Sequence, residues 1–266
     1  MINNLNLKDK RILRELDRNA RQSNAKIAKK IKLSKDAVGY RIKQLEKRGI
    51  IKGYRTIVDM SKLGYIAYRV LFNLVNVNEK ILNELVHLLK QEEKVLGVGI
   101  LDGEWDFSFL YFAKDNMQFY HFLEKLRSKF KHIIKNELIS PIVKYHEVER
   151  HYLLDEKNWV NEKVVLTYET VTIDKIDHEI LQAISKNART KLSDLAHKLG
   201  LSSMLIHQRI KKLEKKNVII GYKAYTDVLR LGRDYYGVKM DLENYSEKEK
   251  IIAEIYSLKE VSAVLY

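Results

Sequence analysis

The chain has 266 residues, with 49 Lys and Arg against 35 Asp and Glu and a formal net charge of +14. It contains no cysteine, which excludes disulfides and thiolate zinc sites and suits a reducing interior. The start Met1-Ile2-Asn3-Asn4 has no signal-peptide pattern and no apolar run nears membrane-spanning length, so a cytoplasmic protein with no membrane partner is expected.

The first elements read as three short helices and a strand. Ile12, Leu13 and Leu16 share one helical face just after Asp9. Ile27, Ala28 and Ile31 form a second apolar stripe behind the capping candidates Ser23 and Asn24. After a brief turn at Lys32-Leu33, Ser34 is placed to cap a third helix that buries Ala37, Val38, Ile42 and Leu45. Gly49 suits a left-handed C-terminal cap. The β-rich stretch Ile50 to Ile57 follows as a wing. Two helices joined by so tight a turn describe a helix-turn-helix, whose last helix can enter a DNA major groove.

From Tyr65 the texture changes. A β-branched and aromatic run to Val75 suits a strand, and Ile81, Leu82, Leu85, Val86 and Leu89 mark a helix. Strands are expected at Val95 to Leu101 and Trp105 to Phe112, joined through the hairpin pair Asp102-Gly103. A helix carrying Phe119, Phe122, Leu123, Leu126 and Phe130 leads to a last strand at about Glu137 to Tyr152, with Pro141 at an edge or bulge position. The order β-α-β-β-α-β describes a ferredoxin-like αβ sandwich whose open, partly apolar sheet face predicts dimerisation. His146 to His151 reads as a solvated strand whose histidines diverge, not as a metal site, and no cofactor motif is present. The linker from Asp155 to Thr172 is polar and then β-rich, suited to adding a strand to a neighbouring sheet.

The stretch Asp9 to Tyr54 then returns as Asp177 to Tyr222 at a constant offset of 168 residues, with 19 of 46 positions identical. Asn19-Ala20-Arg21 recurs as Asn187-Ala188-Arg189, and Asn217 replaces Gly49 at the cap. Tyr235 to Leu242, Glu247 to Tyr256 and Val261 to Tyr266 resemble the start of a second sandwich that breaks off, as in a truncated sequence. Five segments result: helix-turn-helix 1 over 1–62, sandwich over 63–153, linker over 154–172, helix-turn-helix 2 over 173–230, and an incomplete sandwich over 231–266. The fold class is α+β.

Charge follows this division. Residues 1–62 carry about +12 and residues 174–233 about +7, leaving roughly −5 elsewhere. A basic surplus confined to the helical units is the footprint of phosphate neutralisation, so double-stranded DNA is the expected partner. The open face of the third helix offers Ser34, Lys35, Asp36, Gly39, Tyr40, Arg41 and Lys43. Its repeat offers Ser202, Ser203, Met204, His207, Gln208, Arg209 and Lys211, so the two units should not prefer identical base sequences. Arg41 and Arg209 have a competing structural reading, in which each pairs with an acid such as Glu46 or Glu214.

These pieces resemble the Lrp/AsnC (feast-or-famine) transcriptional regulators, particularly archaeal members. Asp9 with Ile12-Leu13, Asn19-Ala20-Arg21, Leu33-Ser34, Val38 with Arg41-Ile42, Leu45-Glu46, Gly49-Ile50-Ile51 and Gly53-Tyr54 carry the likeness. In the sandwich, Leu63-Gly64-Tyr65 and Gly103-Glu104-Trp105-Asp106 carry it further. The resemblance implies a non-enzymatic regulator that binds DNA as a homodimer or larger oligomer through the sandwich. It also implies a possible amino-acid effector, for which Asp102, Gly103, Glu104, Trp105 and Asp106 are the candidates. Two helix-turn-helices per chain depart from the usual single one. An architectural DNA-compacting protein shares the charge argument. A tetrapyrrole decarboxylase, known among relatives, needs pocket histidines where this chain is mostly apolar or aromatic.

Overall fold

A computed structural model describes residues 5–154, 162–258 and 260–265. The chain divides into two compact units, one of Met1–Asp59, His146–Val165 and Ile173–Val264, the other of Met60–Tyr145, Leu166–Thr172 and Leu265–Tyr266. The sequence reading separated the two helix-turn-helix segments into different domains; in the structure both belong to the first unit.

The first unit begins with helix α1 (Leu7–Arg18), capped by Asn6, whose side chain accepts from the Asp9 N–H. Helix α2 (Asn24–Ile31) is capped by Ser23 and ends at Lys32 in the left-handed conformation. Helix α3 (Lys35–Lys47) starts from Ser34. Gly49 at φ 65° then turns the chain into strand β1 (Ile51–Val58), the cap geometry expected from the glycine. Ile12, Leu13, Leu16, Ile27, Val38 and Leu45 are almost wholly buried together.

The second unit contains β2 (Ile66–Leu74), α4 (Glu79–Gln91), β3 (Val95–Ile100), β4 (Phe107–Ala113), α5 (Asn116–Phe130) and β5 (Ile134–Pro141). The sheet is antiparallel with order β3-β4-β2-β5. Alternation along β4 sends Phe107, Phe109, Tyr111 and Ala113 into the core with Leu85, Leu89 and Phe122, while Ser108, Leu110 and Phe112 face the other way. Pro141 ends an edge strand, where a missing N–H does no harm. The open face is partly closed by the chain itself: Leu166 packs with Ala67 and Ile142 against Leu110 and Phe112. The Tyr168 N–H donates to Ser61 Oγ at 2.9 Å, and the Val171 N–H to the Lys62 carbonyl at 2.8 Å.

The chain then returns to the first unit. The expected long last strand is instead two, β5 and β6 (Tyr145–Val148), in different sheets. Strand β7 (Glu162–Val164) pairs antiparallel with β6, so the late linker does add a strand to a sheet; residues 155–161 lie outside the described residues. Helices α6 (Lys175–Lys186), α7 (Leu192–Leu199) and α8 (Ser203–Lys215) and strand β8 (Ile219–Thr226) repeat the first copy. Gly200 at φ 64° stands where Lys32 does, and Asn217 at φ 52° where Gly49 does. Helix α9 (Lys248–Ser257) and strand β9 (Ala263–Leu265) follow.

Residues 235–242, expected as a strand, form none. Their counterpart β2 is hydrogen-bonded on both sides, to β4 and β5. Among the described residues this stretch has neither neighbour, so its backbone has no ladder to join. Tyr236 and Val238 are accordingly 81% and 78% exposed, whereas Tyr68 and Val70 at the matching positions are 7% and 0%.

Candidate nucleic-acid interface

The two copies meet through their strands. Strand β1 pairs antiparallel with β8, so the predicted wing is one half of a two-stranded ribbon shared by both copies. The register is self-complementary. Arg55 lies opposite Lys223, its own repeat; Tyr54 faces Ala224 and Thr56 faces Tyr222, pairs that interchange under the 168-residue offset. The contacts around the ribbon are reciprocal as well. The Ala20 N–H donates to the Tyr222 carbonyl at 2.9 Å and the Ala188 N–H to that of Tyr54 at 3.0 Å. The Asp59 N–H reaches the Val218 carbonyl and the Asp227 N–H that of Ile50, both at 2.9 Å. Arg21 sits over the Tyr222 ring and Arg189 over the Tyr54 ring, at 5.8 and 5.1 Å from the centroids. The unit therefore has a pseudo-two-fold axis through the middle of the ribbon, as an isologous dimer would.

Each copy presents its third helix in the same way. Ser34 Oγ accepts from the Ala37 N–H at 3.1 Å, and Ser202 Oγ from the Leu205 N–H at 3.2 Å. Val38, Ile42 and Leu45 anchor α3 to the core, as Ile206, Ile210 and Leu213 anchor α8. The opposite face is open: Ser34, Lys35, Asp36, Tyr40 and Lys43 are exposed on one, and Ser202, Ser203, Met204, His207, Gln208 and Lys211 on the other. Gly39 is only half-exposed, and a Cβ there would stand 3.2 Å from Asn24 Nδ2, so packing against α2 also favours glycine.

Arg41 and Arg209 are placed differently from these. Arg41 Nη1 meets Asp9 Oδ1 at 2.8 Å and Asn6 Oδ1 at 3.3 Å. Arg209 Nη1 meets Asp177 Oδ1 at 2.9 Å and Asp174 Oδ2 at 2.6 Å. The structural reading of these arginines fits the geometry, but the acids come from the first helix of each copy. Glu46 and Glu214 serve other donors, the Tyr54 hydroxyl at 2.5 Å and the Tyr222 hydroxyl at 2.8 Å. Burial and then the glutamate bond push both phenols well above the ordinary tyrosine range, so both remain donors. The hydrogen bond from Arg209 holds the Asp174 carboxyl below its usual range.

Between the copies lies a cleft of about 530 Å³ whose walls include Arg21, Lys26, Arg189, Lys191, His207 and Lys211, with Glu214 as its acid. Arg21, Lys26, Arg189 and Lys191 were not among the DNA-contact candidates read from the sequence. The repeated Asn-Ala-Arg trio was the available signal, since a repeated arginine beside a buried alanine needs a repeated reason.

The segment read as a solvated strand is not solvated. His146, Glu149 and His151 are buried, the last at 2% exposure. Arg14 Nη1 lies 2.8 Å from Glu149 Oε2, and Arg14 Nη2 lies 3.0 Å from His151 Nδ1. Lys223 Nζ reaches Glu147 Oε1 at 2.7 Å, and the Arg150 N–H donates to Asp17 Oδ2 at 2.8 Å. These charges tie the segment to α1 and β8, which neither periodicity nor charge runs reveal.

In the second unit the candidate effector loop joins β3 to β4 as a six-residue connection, longer than the hairpin expected from Asp102-Gly103. Asp102, Gly103 and Glu104 are exposed and Trp105 is half-buried. Asp106 is committed to the backbone: its Oδ2 accepts from the Leu74 N–H at 2.7 Å. Among the described residues no group of three or more His, Asp and Glu side chains is placed to hold a metal. No helix of the described residues is long and apolar enough to cross a membrane.

Comparison with known proteins fits this geometry. The winged helix-turn-helix DNA-binding family matches twice, at residues 5–52 and 173–220. Transcriptional regulator AzlB of Bacillus subtilis is 35% identical over 116 residues, covering 43% of this chain and 74% of AzlB. The chain belongs to the Lrp/AsnC family of transcriptional regulators. Another Lrp/AsnC relative, regulatory protein AsnC of Haemophilus influenzae, is 33% identical over 97 residues, 35% of this chain. The chain spans 63% of that relative's length and 62% of an HTH-type regulator of Pyrococcus furiosus. Among solved structures, the siroheme decarboxylase NirDL superposes with a TM-score of 0.53 at 15% identity, over 82% of this chain and 65% of NirDL. At that identity the likeness is one of fold.

Proposed function

We propose that the chain is a sequence-specific DNA-binding regulator acting in the cytoplasm, and that one chain presents a complete pair of recognition helices. The self-complementary register of β1 and β8 carries this reading, because it gives α3 and α8 the symmetry relation that two subunits of a dimer would have. Ser34, Lys35, Asp36, Tyr40, Lys43, Ser202, Ser203, His207, Gln208 and Lys211 are exposed to meet the duplex. Gly39 permits close approach at the edge of the set, and Arg41 and Arg209 hold the helices in place from behind. Fluorescence anisotropy of the full chain with the DNA upstream of its own reading frame tests the proposal. Binding that falls steeply with salt and exceeds that to random duplex supports it, while equal affinity for both rejects sequence specificity. Footprinting separates a regulator from a compacting protein: discrete protected half-sites mark the first and uniform cover the second.

The second unit is read as a ferredoxin-like sandwich for assembly and sensing. Leu96 and Ile100 on edge strand β3 are 53% and 64% exposed, an apolar rim at the open edge of the sheet. Sedimentation of the full chain against a Leu96→Lys variant tests assembly there. The exposed Asp102 and Glu104 suit the ammonium group of an amino acid. A calorimetric titration with the amino acids in turn tests sensing, and no heat from any of them rejects it.

A further inference from the structure

The pseudo-two-fold axis relates two halves of unequal chemistry. Residues 5–59 carry seventeen Lys and Arg against six Asp and Glu, and residues 173–227 carry eleven against six. The difference is sharpest on the helix before the recognition helix, which crosses the sugar–phosphate backbone in helix-turn-helix complexes. In the first half that element has exposed Lys26, Lys29 and Lys32. At the same positions the second half has Asp194, His197 and Gly200. Helix α2 also has a side-chain cap from Ser23, whereas Lys191 at the start of α7 gives none.

The recognition helices differ in the opposite sense. Lys35 and Tyr40 on α3, groups that mostly hold phosphates, become Ser203 and Gln208 on α8. Gly39, which has no side chain to offer a base, becomes His207, and Asp36 becomes Met204. Gln208 can pair bidentately with adenine, His207 can donate to an acceptor on a purine edge, and Met204 can pack on a thymine methyl. All three are exposed, Met204 at 66%. The ties within each copy are the same in both halves: Asp9 with Arg41 and Asp177 with Arg209, Tyr54 with Glu46 and Tyr222 with Glu214.

We infer that the two halves divide the work, the first anchoring the duplex by its phosphates and the second reading bases, so that the chain binds a non-palindromic site in one orientation. The inference rests on the regulator reading above. The symmetric ribbon sets the spacing of the two helices, and the unequal surfaces give the complex its polarity.

The test uses the full chain on duplexes it selects from a random pool, with unselected duplex as the control. The expected consensus has unlike halves. The triple variant Lys26→Gln, Lys29→Gln, Lys32→Gln should weaken binding to selected and unselected duplex alike, on the order of 10²-fold at 0.1 M salt, and flatten the log affinity against log salt slope by about 3. The double variant His207→Ala, Gln208→Ala should lose about tenfold or more on the selected duplex and nothing on the control. A palindromic consensus overturns the inference, as do two variants with the same pattern of loss. A pool that shows no enrichment sinks the regulator reading and the base-reading half together. In that case the response of unselected duplex to the lysine variant still decides the anchoring half. Circular dichroism confirms that both variants, confined to exposed positions, remain folded.

Discussion

The two helix-turn-helix copies share a backbone and differ in what surrounds it. Helix α1 carries Arg14, Glu15, Asp17 and Arg18, and the first three are buried against the Glu147 to His151 segment and neighbouring groups. The matching positions on α6 are Gln182, Ala183, Ser185 and Lys186, with Gln182, Ser185 and Lys186 exposed. A helix can thus keep its fold while one face changes from a charged clamp to a plain surface, because the apolar stripe at Ile12, Leu13 and Leu16, repeated at Ile180, Leu181 and Ile184, fixes the element. The retained apolar stripe and the retained Ala20, Ala188, Tyr54 and Tyr222 hold the pair together, and the diverged faces differ from half to half.

Four measurements break or sharpen this comparison. The largest contrast is expected between Glu149→Gln and Gln182→Ala. The first removes the carboxylate 2.8 Å from buried Arg14 and should cost about 3–5 kcal/mol of stability in urea denaturation. The second changes an exposed position and should stay within about 0.5 kcal/mol. Equal costs would show that the clamp contributes nothing specific to the first copy.

Ile12→Ala and Ile180→Ala truncate matching side chains, both at 0% exposure, and each should cost about 2–5 kcal/mol. Because both copies build one ribbon, hydrogen exchange should show either variant loosening β1 and β8 together. Loosening confined to the mutated copy would make the halves independent.

Tyr54→Phe and Tyr222→Phe remove the bonds to Glu46 and Glu214, and about 1 kcal/mol is expected from each. Agreement between the two supports equivalence of the shared scaffold, and a large disparity in thermal midpoint rejects it.

The smallest effect is that of pH. Burial, and then the Arg14 charge, holds the His151 imidazole below its ordinary value of 6.5. The native state therefore binds fewer protons than the unfolded chain just below that value. This contribution to stability is complete above about pH 6.5 and is lost as the pH falls below it. Denaturation midpoints at about pH 7.5 and 5.5 should differ less in His151→Gln than in the parent. An unchanged difference removes His151 as the cause.

Much of this was legible in the residues. The three-to-four spacing of apolar positions, the serine caps and Gly49 or Asn217 gave both helical units to within a few residues, since each is a local signal. Strand pairing is not local. Tyr235 to Leu242 has the alternation of β2 yet forms no strand without neighbours, and β1, read as a wing, finds its partner 168 positions further on. Arg41 shows the same limit at the candidate interface. Its position on the helix placed it at the edge of the open face, and only the packing of α1 on α3 showed that Asp9, rather than Glu46, takes its charge.

The shared ribbon has a consequence for dosage. In a regulator assembled from separate subunits, the pair of DNA-reading helices exists only above the concentration at which the subunits associate. Here β1 and β8 are tethered, so the effective concentration of one for the other is fixed by the connecting chain and survives any dilution. Occupancy of a single duplex site should then follow the number of chains in simple proportion, even where only a few are present.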